Sequence, residues 1–221
     1  MGEVLAVMSR LPTIVLASAS PARRQLLRNV GIEPVIHVSH VDEDALVAEN
    51  LWTTAEAVAG GLAIAKAQAV AAHTDLDDAL IIGCDSVMEF GGHLHGKPGT
   101  PEAAAERLRE MSGGSGHLYT GHHVIRMSGS ERTSVSAVTS THVVFHDISA
   151  AEVDAYVSTG EPLHVAGAYT LDSLGGPFIK EIHGDPSNVI GLSLPTLRAL
   201  LAELGVGWEL VLEQVSADSP K

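Results

Sequence analysis

Leu80-Ile81-Ile82-Gly83-Cys84-Asp85-Ser86-Val87 is an apolar run interrupted by one carboxylate and followed by Gly91-Gly92. Branched side chains over so short a run, with a glycine turn beyond, predict a strand buried on both faces rather than a helix. The strand is expected to end by delivering Asp85 to a rim of turns and basic residues. A carboxylate there loses hydration unless water, a cation or hydrogen-bond donors meet it. Asp85 is therefore either structurally paired, or capping a turn, or catalytic, and the strand alone leaves all three open.

Upstream, Thr13-Ile14-Val15-Leu16-Ala17 reads as a first strand, followed by Ser18-Ala19-Ser20-Pro21 and a helix from Ala22 to Val30 closed by Gly31. Ser20 suits the N-cap and Pro21 the first helical position, so free N–H groups and the positive end of the helix dipole point back toward the strand. With Arg23 and Arg24 in the first turn, that corner can hold an anion; the alternative is an ordinary cap with solvated arginines. Pro34 to Ser39 is a candidate second strand. The acidic cluster Asp42-Glu43-Asp44 reads as a solvated loop. Thr54 to His73 is alanine-rich and helical despite Gly60-Gly61. Between Arg28 and Arg107 the only Lys or Arg residues are Lys66 and Lys97, so neither belongs to a general coat of salt bridges.

Beyond the central strand, His93 to Gly96 is expected to return as a hairpin partner, bringing Lys97 near Asp85. Gly91 to Lys97 spells the opening of a phosphate-binding G-x-x-x-x-G-K loop, but Pro98 stands where a Ser or Thr is required. Proline lacks both the N–H and the hydroxyl, so that motif is rejected. A helix capped by Thr100-Pro101 runs to about Met111, and Ser112 to Gly116 is a flexible connection. Strands at His117 to Met127 and Thr133 to His146 are antiparallel because their link is short. Ser149-Ala150-Ala151-Glu152 is a capping box. Glu161 to Gly176 is a loop able to cover a ligand, Phe178 to Ile182 a short strand, and Gly184 to Asn188 a turn. Ser193-Leu194-Pro195 opens a last helix to Gly205, and Trp208 to Leu212 is a final strand before a tail that frays from Ser216.

The composition fits one compact soluble unit, with 221 residues, 45% hydrophobic and 18% charged, and the antiparallel pair beyond the first strands makes a mixed sheet. Residues 1–12 are read as an extension, 13–213 as a single domain and 214–221 as a tail. Thirteen basic against 27 acidic residues leave a charge of -14, which repels a nucleic-acid backbone or an anionic membrane. No apolar run spans a bilayer and the opening residues lack a secretory pattern, so a cytoplasmic location is expected. The single Cys84 reads as an inert core thiol. Twelve histidines, including His93 with His95, His122-His123, and His142 with His146, match no strong zinc spacing and are expected at the surface or in turns.

Taken in order, Leu16-Ala17-Ser18-Ala19-Ser20-Pro21-Ala22-Arg23-Arg24, Asp42-Glu43, Lys66, Gly83-Cys84-Asp85-Ser86, Gly96-Lys97-Pro98, Glu161-Pro162, Ala166-Gly167-Ala168-Tyr169 and Gly191-Leu192 resemble the Maf family of nucleoside triphosphate pyrophosphatases from about Thr13 to Gly205. The resemblance implies an α/β fold with an elongated mixed sheet flanked by helices, two lobes with a central cleft, and a homodimer. It implies a cut between the α and β phosphates, dependent on a divalent cation such as magnesium or manganese, giving a nucleoside monophosphate and pyrophosphate. Asp85 is then the proton acceptor, and Ser18, Arg23, Glu43, Lys66 and Lys97 surround phosphate and metal, with Glu43 and Asp85 as the metal carboxylates. Ser20 lies in the same substrate-binding motif. The base-specificity positions are Ala22, Ser86 and Asp172, which match neither the dTTP/UTP branch nor the 7-methyl-GTP branch in full. Noncanonical or pyrimidine triphosphates are the expected substrates. The alternative implied by the resemblance is a nucleotide-binding regulator of septum formation and cell division.

Overall fold

The computed structural model describes residues 10–218. In chain order it comprises β1 (Thr13–Leu16), α1 (Pro21–Asn29), β2 (Val35–Ile36), α2 (Glu43–Asn50), α3 (Ala55–Ala71), β3 (Asp78–Phe90), β4 (His93–His95), α4 (Pro101–Met111), β5 (Ser115–Ser128), β6 (Glu131–Phe145), α5 (Ala150–Ser158), β7 (Ile179–His183), α6 (Pro186–Ile190), α7 (Leu194–Glu203) and α8 (Glu209–Asp218). The strands form one mixed sheet of seven in the order β2-β1-β3-β5-β6-β7, with β4 also paired to β3. The short strand β1 runs parallel to β2 and β3, while β4, β5, β6 and β7 join by antiparallel pairing.

Both faces of β3 are covered, as its continuous apolar run requires. Leu80, Ile82 and Cys84 pack with Leu26 and Leu27 of α1 and Leu197, Leu200 and Leu201 of α7. Further along that face, Met88 joins Leu118, Val143 and Phe145 under α4 and α5. On the opposite face Ile81 packs with Ala67 and Val70 of α3. The helix α3 lies almost on the sheet backbone: a Cβ at Gly83 would stand 2.2 Å from the Ala63 carbonyl oxygen, and one at Gly121 would stand 2.1 Å from that of Ala59. Alanines on the helix and glycines on the strands make this approach possible, and it sets the height of Lys66 above the sheet.

Several expectations need correction. The strand β3 does not end near Asp85 but runs on to Phe90, leaving Asp85 in its interior. The acidic cluster is a helix start rather than a solvated loop, because the Asp42 side chain accepts from the Ala45 N–H at 3.0 Å and caps α2. Ser115 and Gly116 already belong to β5. Asp185 caps the short α6 where only a turn was expected. The expected strand at Trp208 to Leu212 is instead the beginning of α8, so the Ser193 helix is not the last and the helix continues through the expected fraying point at Ser216. Leu210 and Val211 of α8 join the α1–α7 core, a burial that a short apolar run achieves equally well as helix or strand. The boundary placed at residue 213 falls inside α8; residues 1–9 of the expected extension and 219–221 of the expected tail lie outside the described residues. The capping box is present in full, with Ser149 accepting from the Glu152 N–H and Glu152 accepting from Ser149.

Candidate active site

The parallel ladder of β1 reaches only as far as Leu16 opposite Ile82, with one more bond from the Ala17 N–H to the Ile82 carbonyl at 2.8 Å. The antiparallel ladder of β4 begins with His95 opposite Met88. Between them, Gly83 to Val87 has no strand beside it on this edge of β3, and side-chain alternation turns Asp85 toward α3 and Ser86 toward α1. The candidate site is this gap, approached from both faces.

On the α3 side, the Lys66 Nζ lies 2.5 Å from Asp85 Oδ1 and 2.8 Å from Glu43 Oε1. Lys66 and Asp85 are 7% and 8% exposed, whereas the Glu43 side chain is 44% exposed, so a buried ion pair opens to solvent through Glu43. Glu43 is the first residue of α2 and is held there by the Asp42 cap. Burial pushes the Asp85 pKa upward; the charges of Lys66 and Arg23 and the hydrogen bond from Lys66 pull it back, and Glu43 adds to the rise. The net effect is a carboxyl above its ordinary range.

On the α1 side, Ser20 caps the helix by accepting from the Arg23 N–H at 3.4 Å, with Pro21 in the first turn. Arg23 is 9% exposed and is already engaged: Nε donates to the Gly191 carbonyl at 2.7 Å, one terminal nitrogen to Ser18 Oγ at 3.1 Å and the Cys84 carbonyl at 2.9 Å, and the other to Ser86 Oγ at 3.0 Å. Four of the five guanidinium donors are thus used, and Arg23 ties α1, β3 and the segment after α6 together. Ser86 and Thr120 share a hydrogen bond of 3.0 Å, and Thr120 donates to the Asn188 carbonyl. Asn188 is fully buried and donates to Leu118, Thr139 and Thr141. Thr120 was not singled out in the sequence and Asn188 carried only a turn signal, whereas Gly191 belongs to the Gly191-Leu192 motif.

Other expected site residues stand apart. Arg24 pairs with Glu33 at 3.0 Å, away from the anion corner, and Ala22 is half-buried on α1. Lys97 is exposed, just beyond β4, and makes no hydrogen bond or ion pair with Asp85 among the described residues. Asp172 is exposed in the loop after α5 and likewise does not meet Asp85. The Gly91-to-Lys97 stretch forms a hairpin with β4, in keeping with rejection of the phosphate loop.

Cys84 is buried, its thiol pushed up to about 11 by desolvation. His122 and His123 are buried rather than at the surface or in turns: His122 Nε2 accepts from the Ser193 N–H at 2.8 Å, and burial brings its pKa down to about 4. Among the described residues no group of three or more His, Cys, Asp or Glu side chains could hold a metal. Asp85 and Glu43 converge on one ammonium, however, and each keeps a second carboxylate oxygen outside those contacts. Two hard oxygen donors fit magnesium or manganese, which bind through one or two carboxylates and take remaining ligands from water and phosphate.

This arrangement can be set against known proteins. A family model described as Maf-like protein matches residues 13–204. The chain belongs to the Maf-like family. Among curated relatives of this Maf-like chain, the nucleoside triphosphate pyrophosphatase of Nocardia farcinica is 53% identical over 202 residues, covering 88% of this chain and 94% of that protein. That of Saccharopolyspora erythraea is 50% identical over 196 residues, covering 87% and 93%. The protein of the same description from Thermosynechococcus vestitus is 51% identical over 191 residues, covering 86% and 93%. The Maf-like match includes both faces of the gap. No helix among the described residues is long and apolar enough to cross a membrane.

Proposed function

We propose that this Maf-like protein is a nucleoside triphosphate pyrophosphatase, adding water across the α–β anhydride to release a nucleoside monophosphate and pyrophosphate. The observation that carries the assignment to this site is the buried Lys66 ammonium held between Asp85 and Glu43 at an open edge of the sheet. The description shared by relatives about half identical along nearly their whole length supports the same activity.

In this reading the triphosphate enters beside the N-terminus of α1. The Ser18 and Ser20 segment and the Ala22 N–H, which the Ser20 cap leaves over beside Pro21, meet phosphate oxygens, with Lys97 approaching from the β4 side. Arg23 contributes its positive charge and one remaining donor while holding Ser18 and Ser86 in place. Asp85 orients the attacking water and accepts its proton. Lys66 holds the Asp85 carboxylate and offsets part of the phosphate charge. Glu43 and Asp85 would hold a divalent cation, which would supply neutralisation of phosphate charge and a lowered pKa for a bound water. Ala22, Ser86 and Asp172 stand as the positions that select the base, with noncanonical or pyrimidine triphosphates as the substrate class. A homodimer belongs to the same reading and is checked by sedimentation.

The test is turnover of UTP, dTTP, CTP and 7-methyl-GTP with magnesium or manganese by wild type and Asp85→Asn. Loss of the general base lowers kcat by about 100- to 10,000-fold. Full turnover by a folded Asp85→Asn protein would remove Asp85 from the reaction; nucleotide binding without hydrolysis by wild type would favour the regulator instead.

A further inference from the structure

The loop after α5 is closed by one side chain. Glu161 accepts from Tyr156 Oη at 2.9 Å, Thr170 Oγ1 at 2.5 Å, Ser173 Oγ at 2.7 Å, the Leu174 N–H at 3.4 Å and the Gly175 N–H at 3.2 Å. A carboxylate that collects five donors joins the start of the 161–175 span to its end. Gly175 fits beneath this clasp because it has no side chain: a Cβ there would stand 2.6 Å from Tyr156 Oη.

Inside the closed span, the chain grips the segment that bears Lys97. The Gly167 N–H donates to the Gly96 carbonyl at 3.3 Å, and the Gly99 N–H donates to the Leu163 carbonyl at 3.1 Å, one bond on either side of Lys97. Arg107 of α4 donates to the same Gly96 carbonyl at 2.5 Å. The grip depends on an uncommon backbone. Gly167 has φ 74° and Ala168 φ 62°, and a left-handed alanine persists only where surrounding contacts enforce it. Tyr169 anchors the next position, its ring edge-on to Phe145 at 4.9 Å.

We propose that Glu161 is a positioning residue for triphosphate cleavage: its carboxylate clasps the 161–175 loop so that the loop's interior holds Lys97 toward the substrate. This rests on the pyrophosphatase reading and on the phosphate-binding role of Lys97 within it. Glu161 touches no reacting atom and acts through the backbone of Gly96 and Gly99.

The experiment is a double-mutant cycle of Glu161→Gln and Lys97→Ala, with kcat and KM measured on the best triphosphate of the four named above and folding followed by thermal unfolding. Glu161→Gln alone is expected to lower kcat/KM by about 100-fold, the scale of an ångström-level misplacement. The loss should fall on KM, because a phosphate contact made equally in ground and transition states is weakened. In the Lys97→Ala background the same change should cost less than about threefold, since the two act as one unit. Equal losses in both backgrounds, or a loss confined to kcat as active protein disappears, overturn the proposal. If Glu161→Gln fails to fold, Thr170→Val removes one clasp donor and the cycle is repeated with an expected loss of about tenfold in KM; no coupling to Lys97 there likewise overturns it. Wild-type protein that cleaves no triphosphate rejects the pyrophosphatase reading, whereas cleavage undisturbed by Glu161→Gln rejects the clasp alone.

Discussion

Asp85 is subject to two opposed influences, and their balance sets the acid limb of the expected pH profile. Burial favours its neutral form, while Lys66 and Arg23 favour the charged form. A general base works only when ionised, so kcat/KM should decline as pH falls through the raised Asp85 pKa. Lys66→Met removes an influence that lowers this pKa, and the acid limb should move to higher pH. A pH–rate series on both proteins checks this; an unmoved limb would assign it to another group. Asp85 and Lys66 were legible in the sequence because each was conspicuous, a lone carboxylate in an apolar strand and a lone lysine on an alanine-rich helix. Their direct contact was not legible, since it depends on how closely α3 approaches the sheet. Arg23 was legible as a residue of the anion corner, yet four of its donors serve the protein's own groups, a feature that appears only when Gly191, Cys84, Ser18 and Ser86 converge.

Among elements, the packing of α3 on β3 and β5 decides whether Lys66 reaches Asp85. Gly121→Ala places a methyl group against the Ala59 carbonyl, which the helix relieves only by rising from the sheet. The expected cost is about 1–3 kcal/mol of stability, with a loss of turnover larger than the loss of folded protein as Lys66 withdraws. Urea unfolding together with activity per folded molecule measures both, and unchanged activity would show that this close approach does not position Lys66. The long strands, α3 and the Ser149 capping box were readable from periodicity and caps. The Trp208 segment was not, because Trp208-Glu209-Leu210-Val211-Leu212 is apolar enough for either structure and tertiary packing of Leu210 and Val211 decides it. The acidic start of α2 was missed because charge suggested a solvated loop, although Asp42 had the chemistry of an N-cap.

At the scale of the whole molecule, a chain with a formal charge of -14 gathers Arg23, Lys66 and a helix N-terminus around one gap in its sheet. Local charge rather than net charge thus sets the character of that gap. The gap was not readable from the sequence, since it depends on β1 stopping and β4 starting at different heights along a strand longer than expected. Ser18, Arg23, Glu43, Lys66, Asp85, Ser86 and Gly191, all within the family motifs, nevertheless meet at it. The most direct measurement is the identity of the products when wild-type protein and magnesium act on the triphosphate it turns over best. Equimolar pyrophosphate and nucleoside monophosphate, both lost with Asp85→Asn, are the expected result. Orthophosphate with nucleoside diphosphate, or undiminished pyrophosphate release by Asp85→Asn, would contradict it.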